Sequence, residues 1–400
     1  MRAKTTDPAE GAAARQAMRF VVLIGVLSFF ADCTYEGARG ILGPFLAQAG
    51  ATATIIGVVM GLGELLGYGL RLVSGTLADV TRRFWTITII GYLLQMSVVP
   101  MLALTHTWQQ ASVLVVLERV GKAIRNPPRD VMLSHAAQQV GGYGWVFGLH
   151  EAFDQFGAMI GPLVVAAMMA RGGSYRQAFA VLAIPAVCNL GILILARVTF
   201  PGSGVPVAGD ANAGRRASFP RRFWIYLIGA GLVAAGFADY PLIAYHFTRH
   251  GTLPVNWIPA FYAVAMGVSG GASLALGRLF DRYGMRVLIG LTILCAAFAP
   301  CAFLADNFEL ALFGVALWGM GIGVHESIIP AAVAPMVPGA RRASAFGLFT
   351  SIYGVCWFIG SAAIGWLYDR SVASTVIFCV ATQLLAVPFF IGALSKASTD

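Results

Sequence analysis

A chain of 400 residues that is 58% hydrophobic and only 11% charged, with a mean hydropathy of +0.76, is not a water-soluble domain, in which about a quarter of the residues carry charge. The net charge of +9 is spread over short basic clusters between apolar runs, the pattern of membrane topology signals and not of a nucleic-acid partner. Six cysteines, at 33, 188, 295, 301, 356 and 379, all fall inside apolar runs without a CxxC pair, so that no disulfide framework or zinc site is implied.

The chain opens on a basic head, Arg2, Lys4, Arg15 and Arg19, followed by an apolar stretch over 20–30. That resembles a signal peptide, but eleven more apolar segments follow, so it is read as a retained first helix. Asp32 directly before Cys33 argues against a lipoprotein cleavage site. A membrane-crossing helix takes about 20 mostly apolar residues. Spans are expected at 20–46, 55–75, 85–104, 111–133, 146–169, 178–197, 223–248, 257–278, 286–304, 310–335, 345–367 and 373–395. The long first, seventh and tenth spans are candidates for a break or tilt at Gly and Pro. With twelve spans, 17 basic residues lie on the side of the two termini and 4 on the other. That bias predicts a multi-pass protein of the plasma (inner) membrane with both termini cytoplasmic. The Gly-, Pro-, Ala- and Ser-rich stretch 199–222 reads as a cytoplasmic linker between an N-terminal six-helix bundle, 1–198, and a C-terminal one, 223–400.

Charge inside a bilayer is costly, which makes intramembrane ionisable residues functional candidates. Along the chain these are Asp32, Glu36, Arg39, Glu64, Arg71, Glu118, Arg119, Lys122, Arg125, Arg129, Asp130, His150, Glu151, Asp154, Asp239, His246, His325 and Glu326. They fall in spans one, two, four, five, seven and ten; spans three, six, nine and twelve carry no charge between their ends. Glu118 and Lys122 are four apart, as are His150 and Asp154, and Glu36 and Arg39 are three apart, spacings that share a helix face. Asp32 and Glu36, like charges four apart, suit a proton carrier. The alternative is that Arg39, Arg119 and Lys122 neutralise the acids as structural ion pairs. Acids and bases concentrate in the first half, whereas Asp239, Tyr245, His246, His325 and Glu326 are the main offering of the second, with Tyr240, Trp318 and Tyr353 adding aromatic surface. Pro127 and Pro128 are expected to break span four, leaving Arg129 and Asp130 as a gate pair.

Three motifs are rejected. Gly267-Val268-Ser269-Gly270-Gly271 has the hydrolase G-x-S-x-G spacing but lies mid-span, without the strand-turn-helix setting that elbow needs. His150-Glu151 lacks a second His at zincin spacing, and no phosphate-cradling loop is present, which argues against ATP-driven transport. No cofactor and no resident metal are expected.

The two halves repeat. Phe30-Ala31-Asp32 recurs as Phe237-Ala238-Asp239, Gly75-x-x-x-Asp79 as Gly277-x-x-x-Asp281, and Phe147-Gly148-Leu149 as Phe346-Gly347-Leu348, at offsets of 207, 202 and 199 residues. Parallel six-helix repeats place a substrate site between the halves near the midplane. Gly277-Arg278-Leu279-Phe280-Asp281-Arg282-Tyr283-Gly284-Met285-Arg286 resembles the cytoplasmic loop motif of the major facilitator superfamily, and the resemblance extends over the whole chain. It implies an all-α membrane fold of twelve helices in two pseudo-symmetric bundles. It also implies a gate latch at Gly277, Asp281, Arg282 and Arg286, and at Gly75, Asp79 and Arg83 in the first-half copy. There Val80 and Arg82 depart from the pattern, Arg82 standing where Gly is usual. An Asp in such a loop can cap the next helix. Gly157-x-x-x-Gly161-Pro162 resembles a motif of proton-coupled exporters, and Arg119 with Gly121 resembles an arginine motif linked to proton coupling. In this family, helices one, four, seven and ten line the cavity, and three, six, nine and twelve form the rim.

These features together predict a secondary transporter, not an enzyme, working by alternating access, coupled to protons and exporting a small polar or charged solute. Its partners would be the lipid bilayer, a small-molecule or ion substrate and protons, and a monomer suits the family. The alternatives are an importer or uniporter of an organic anion, zwitterion or metal chelate and, more remotely, a membrane enzyme or a transport-dead sensor.

Overall fold

The computed structural model describes residues 8–140, 143–202, 219–337 and 342–395. Among these residues the chain forms twelve long helices and no strand. They are α1 (Pro8–Gln48), α2 (Ala53–Thr81), α4 (Trp108–Ala137), α5 (Tyr143–Ala170), α11 (Arg342–Arg370) and α12 (Val372–Ser395), with α3 (Phe84–Leu104), α6 (Tyr175–Thr199), α7 (Arg221–His250), α8 (Val255–Tyr283), α9 (Met285–Phe303) and α10 (Phe308–Ala331) between them. Each expected span falls on one of these helices. Eleven are apolar and long enough to cross a bilayer. The exception is α4, where Glu118, Arg119, Lys122, Arg125, Arg129 and Asp130 depress the hydropathy. It stays buried by packing on α2 and α3. Most of the linker expected over 199–222 lies outside the described residues.

Helices α1 to α6 pack among themselves, as do α7 to α12, and the groups meet through α2 against α11, α5 against α8 and α1 against α7. Twelve alternating helices put Pro8 and Ser395 on one face, here the terminal face. The halves are closed at the opposite, far face. A Cβ at Gly43 of α1 would lie 1.7 Å from the Pro241 carbonyl oxygen of α7, so only glycine lets these backbones approach. At the same face Asp369 of α11 accepts from the backbone N–H groups of Ala53 (3.1 Å) and Thr54 (2.8 Å) and from the Thr54 hydroxyl (2.5 Å). A carboxylate of one half thus caps the positive N-terminus of a helix of the other. Toward the terminal face α5 and α8 part around a crevice of about 310 Å³.

Three local features decide how the helices carry their charges. The first corrects the expected break in span four: α4 runs unbroken through Pro127 and Pro128 to Ala137. Pro127 cannot donate to the Ala123 carbonyl, and the Ser74 hydroxyl of α2 donates to it instead, at 2.8 Å. A neighbouring helix thereby supplies the missing donor. The second is that α1 continues through Pro44, whereas α7 is broken over residues 236–239 between segments Arg221–Ala235 and Tyr240–His250. The Trp318 indole N–H donates to the buried Ala238 carbonyl at this break, at 2.7 Å. The third is a π-helical turn in α10, Val324–Ile328, carrying His325 and Glu326. Such turns concentrate at functional positions.

The two repeat loops close differently from expectation. Asp79 and Asp281 lie inside α2 and α8, and neither α3 nor α9 has a side-chain cap. The turns are too short to bring the carboxylates back: a residue of positive φ ends each helix, Gly284 (φ 61°) in the second half and Arg82 (φ 57°) at the matching position in the first. Gly157 and Gly161 of α5 lie against the backbone of α1 at Phe29 and Cys33, so this motif packs two helices of the first half together.

Candidate functional site

Along α1, Asp32, Glu36 and Arg39 sit on successive turns of one face, and each finds a partner on a different helix. Arg125 of α4 reaches Asp32 at 3.7 Å. Tyr262 of α8, from the other half, donates its hydroxyl to Glu36. Arg39 pairs with Glu64 of α2 at 2.9 Å and, across the interface, with Asp239 of α7 at 3.7 Å. Asp239 sits at the α7 break, fixed by the Trp357 indole N–H (3.2 Å) and the Ser361 hydroxyl (2.6 Å) of α11. Glu64 also takes Arg119 of α4 at 3.3 Å, so one carboxylate holds two guanidinium groups from different helices.

The pairings inferred from spacing are met in one case of three. His150 and Asp154 pair at 3.3 Å. Glu36 and Arg39 do not pair, because each is drawn to a neighbouring helix. Glu118 and Lys122 do not pair either. Glu118 bonds Arg119 (3.3 Å) and the Gln95 amide (2.6 Å), and Lys122 donates to the Tyr35 hydroxyl at 2.6 Å and lies 4.2 Å from that ring's centroid. Arg125 is fully buried; its Nε donates to Gln95 at 2.6 Å and its Nη1 to Tyr92 at 2.9 Å. Arg129 holds Asp130 at 2.8 Å and also donates to Ser28, which bonds His150 at 3.0 Å.

These groups surround a cavity between the halves, lined by Glu36, Arg39, Glu64, Gly67, Tyr68, Arg71, Arg119, Lys122, Ala123, Ile322, His325, Glu326 and Trp357 and enclosing about 70 Å³. Its floor is the Arg39–Asp239 and Glu36–Tyr262 contacts, and its walls follow α2 through Glu64, Tyr68 and Arg71 toward the terminal face. The second half contributes an aromatic wall: the His325 ring lies 4.2 Å from Phe237 and 5.2 Å from Trp357, and its Nδ1 bonds the Tyr353 hydroxyl at 2.6 Å. Glu326, on the π turn, stays exposed to the cavity.

Other sequence candidates lie elsewhere. Tyr245 and His246 pack with Tyr368 nearer the far face, where His246 Nδ1 bonds the Tyr368 hydroxyl at 2.8 Å. Glu151 accepts from Gln155 at 2.9 Å and borders the α5–α8 crevice. Asp79, Arg83, Asp281, Arg282 and Arg286 are exposed at the terminal face; Gly75 lies in α2 beside Pro127 and Gly277 in α8 near its end. Tyr35, Tyr92, Gln95 and Tyr262 escaped the sequence reasoning because they carry no formal charge. A polar amide in an otherwise apolar third span was the signal for Gln95.

A family model described as Major Facilitator Superfamily matches residues 24–361 and again 241–398. An uncharacterized protein of Mycobacterium tuberculosis is 43% identical over 380 residues, covering 94% of this chain and 92% of its own. An uncharacterized MFS-type transporter of Methanocaldococcus jannaschii is 26% identical over 375 residues, 91% of this chain and 92% of its own. Among solved structures, a nucleoside transporter, NupG, superposes with a TM-score of 0.73 at 13% identity, covering 95% of this chain and all of that one (100%). A peptide transporter, POT, in complex with sulfate, does so with a TM-score of 0.74 at 13% identity, covering 95% and 94%. At such identities these two likenesses concern the fold.

Proposed function

We propose that the chain, which belongs to the major facilitator superfamily of transporters, moves a small polar or charged solute by alternating access coupled to protons, in the direction of export. The observation that carries this reading is Arg39, held between Glu64 of its own half and Asp239 of the other. Rocking one bundle against the other must part Arg39 from Asp239. A proton on Asp239 removes the charge that holds Arg39 there, and Glu64, already closer, keeps the guanidinium in the first half. The Trp357 and Ser361 bonds hold the Asp239 carboxyl in place. Proton binding and separation of the halves are then one event, which is the physical content of coupling. With both termini cytoplasmic, the closed far face is periplasmic and the cavity walls lead inward. The Gly157-x-x-x-Gly161-Pro162 motif supports export.

The test is substrate-induced proton movement in proteoliposomes, followed with a pH-sensitive dye over a panel of metabolites, drugs and metals. Wild type is compared with Asp239→Asn and Asp32→Asn, all shown to be monodisperse. A signal in wild type that Asp239→Asn loses supports the reading. A signal lost only in Asp32→Asn moves the coupling role to the Asp32–Arg125 pair. Solute flux without proton movement overturns the coupling.

A further inference from the structure

Most charges around the cavity are already spoken for. Glu64 is shared by Arg39 and Arg119, and Glu36 takes the Tyr262 hydroxyl. Two groups on opposite walls differ. Among the described residues Lys122 on α4 hydrogen-bonds the neutral Tyr35 hydroxyl and lies over that ring, with the Asp32 and Glu36 carboxylates acting on it only through space and not in contact, and Glu326 on the π turn of α10 makes no hydrogen bond. Neither enters an ion pair among the described residues. Arg71, on the same wall as Lys122, lies over the Tyr68 ring without a carboxylate partner. An unpaired cation and an unpaired carboxylate in one membrane-depth cavity are both costly. They persist at opposite sides of a space of about 70 Å³, too small for a drug-sized solute.

We propose that this cavity binds a small zwitterion of the α-amino-acid type, its carboxylate on Lys122 and its ammonium on Glu326, a proposal that rests on the transporter reading above. A simple anion pairs Lys122 and leaves Glu326 alone; a simple cation does the reverse. Only a solute carrying both charges satisfies both walls. Trp357 and Tyr68 border the same space and give it aromatic walls. Lys122 belongs to the first half and Glu326 to the second, so a bound zwitterion bridges the halves across the cavity. The solute itself then supplies the attraction that draws the halves closed, a differential affinity for the closed state.

The proposal is tested by ligand-induced thermal stabilisation of the full chain in detergent. The probes are glycine, alanine, serine and glutamine, each beside its deaminated and its decarboxylated analogue. In wild type at least one amino acid is expected to stabilise, with both analogues weaker by about tenfold or more, as for loss of a charged hydrogen bond. Glu326→Gln should lose amino-acid affinity by about the same factor while leaving the deaminated analogue unchanged. Lys122→Gln should spare the decarboxylated analogue instead, and Glu326→Asp, which keeps the charge, should retain binding. If the analogues bind wild type as tightly as the amino acid, or no amino acid binds the folded protein, the proposal is overturned. Proton-coupled flux of another solute without amino-acid binding overturns it and leaves the transporter reading standing. Charge-dependent binding without flux in proteoliposomes upholds it and overturns that reading.

Discussion

Replacing Gly43 by Ala should open the far face. The new methyl carbon would lie 1.7 Å from the Pro241 oxygen and 2.6 Å from its carbonyl carbon, where real Cβ contacts stay beyond 3.0 Å. The helices must therefore separate by more than an ångström, and no side-chain rotation relieves the overlap, because the obstacle is backbone. Overpacking of this kind costs about 1–3 kcal/mol. Since α1 and α7 belong to different halves, the chain can shed that cost by parting them, shifting the closed-to-open ratio at the far face by about 5- to 150-fold. Pulsed EPR distances between spin labels at Gln48→Cys and Val255→Cys, both exposed near this face, would report the shift once Cys188, Cys301 and Cys356 are replaced by serine. Wild type should give one short distance and Gly43→Ala a second, longer population. Gly69→Ala, with nothing within 4 Å of the added carbon, is the control and should match wild type. If Gly43→Ala leaves both the distances and the melting temperature unchanged, the close approach is not what holds the far face shut.

Asp369→Asn should shift the same distances in the same direction by about 1 kcal/mol, the worth of a charged cap at a helix N-terminus; an unchanged distribution would make the cap incidental. Ser74→Ala should lower stability by about 1 kcal/mol by leaving the Ala123 carbonyl without a donor. In a Pro127→Ala background, where residue 127 regains its own N–H, the same change should cost little, and a double-mutant cycle in thermal unfolding measures the difference. Arg82→Gly should raise the melting temperature by the equivalent of about 1 kcal/mol, since Arg82 holds a left-handed conformation that glycine adopts freely. A fall instead would show that the Arg82 side chain holds more than its backbone costs.

Hydropathy placed eleven of the helices because each is apolar over its own length, a property written in consecutive residues. The same local logic read the His150–Asp154 pair from its spacing and singled out the first, seventh and tenth spans as candidates for a break; the structure has the α7 break and the π turn at His325 and Glu326, whereas α1 runs unbroken through Pro44. It failed at Pro127–Pro128, since the donor that lets α4 continue is Ser74 on another helix. It failed also at the turn after α2, where Arg82 takes a positive φ at the position that Gly284 holds in the second half. Above all it could not say which charge meets which. Arg39 passes over Glu36 on its own helix for Glu64, 25 residues away, and Asp239 in the other half. Which partner wins depends on how closely the helices approach, and glycines such as Gly43 set that distance by meeting a backbone remote in the sequence. The sequence by itself determined which helices carry charge. Only their packing decided which of those charges are neutralised by neighbours and which, at Lys122 and Glu326, are left facing the cavity without an ionic partner.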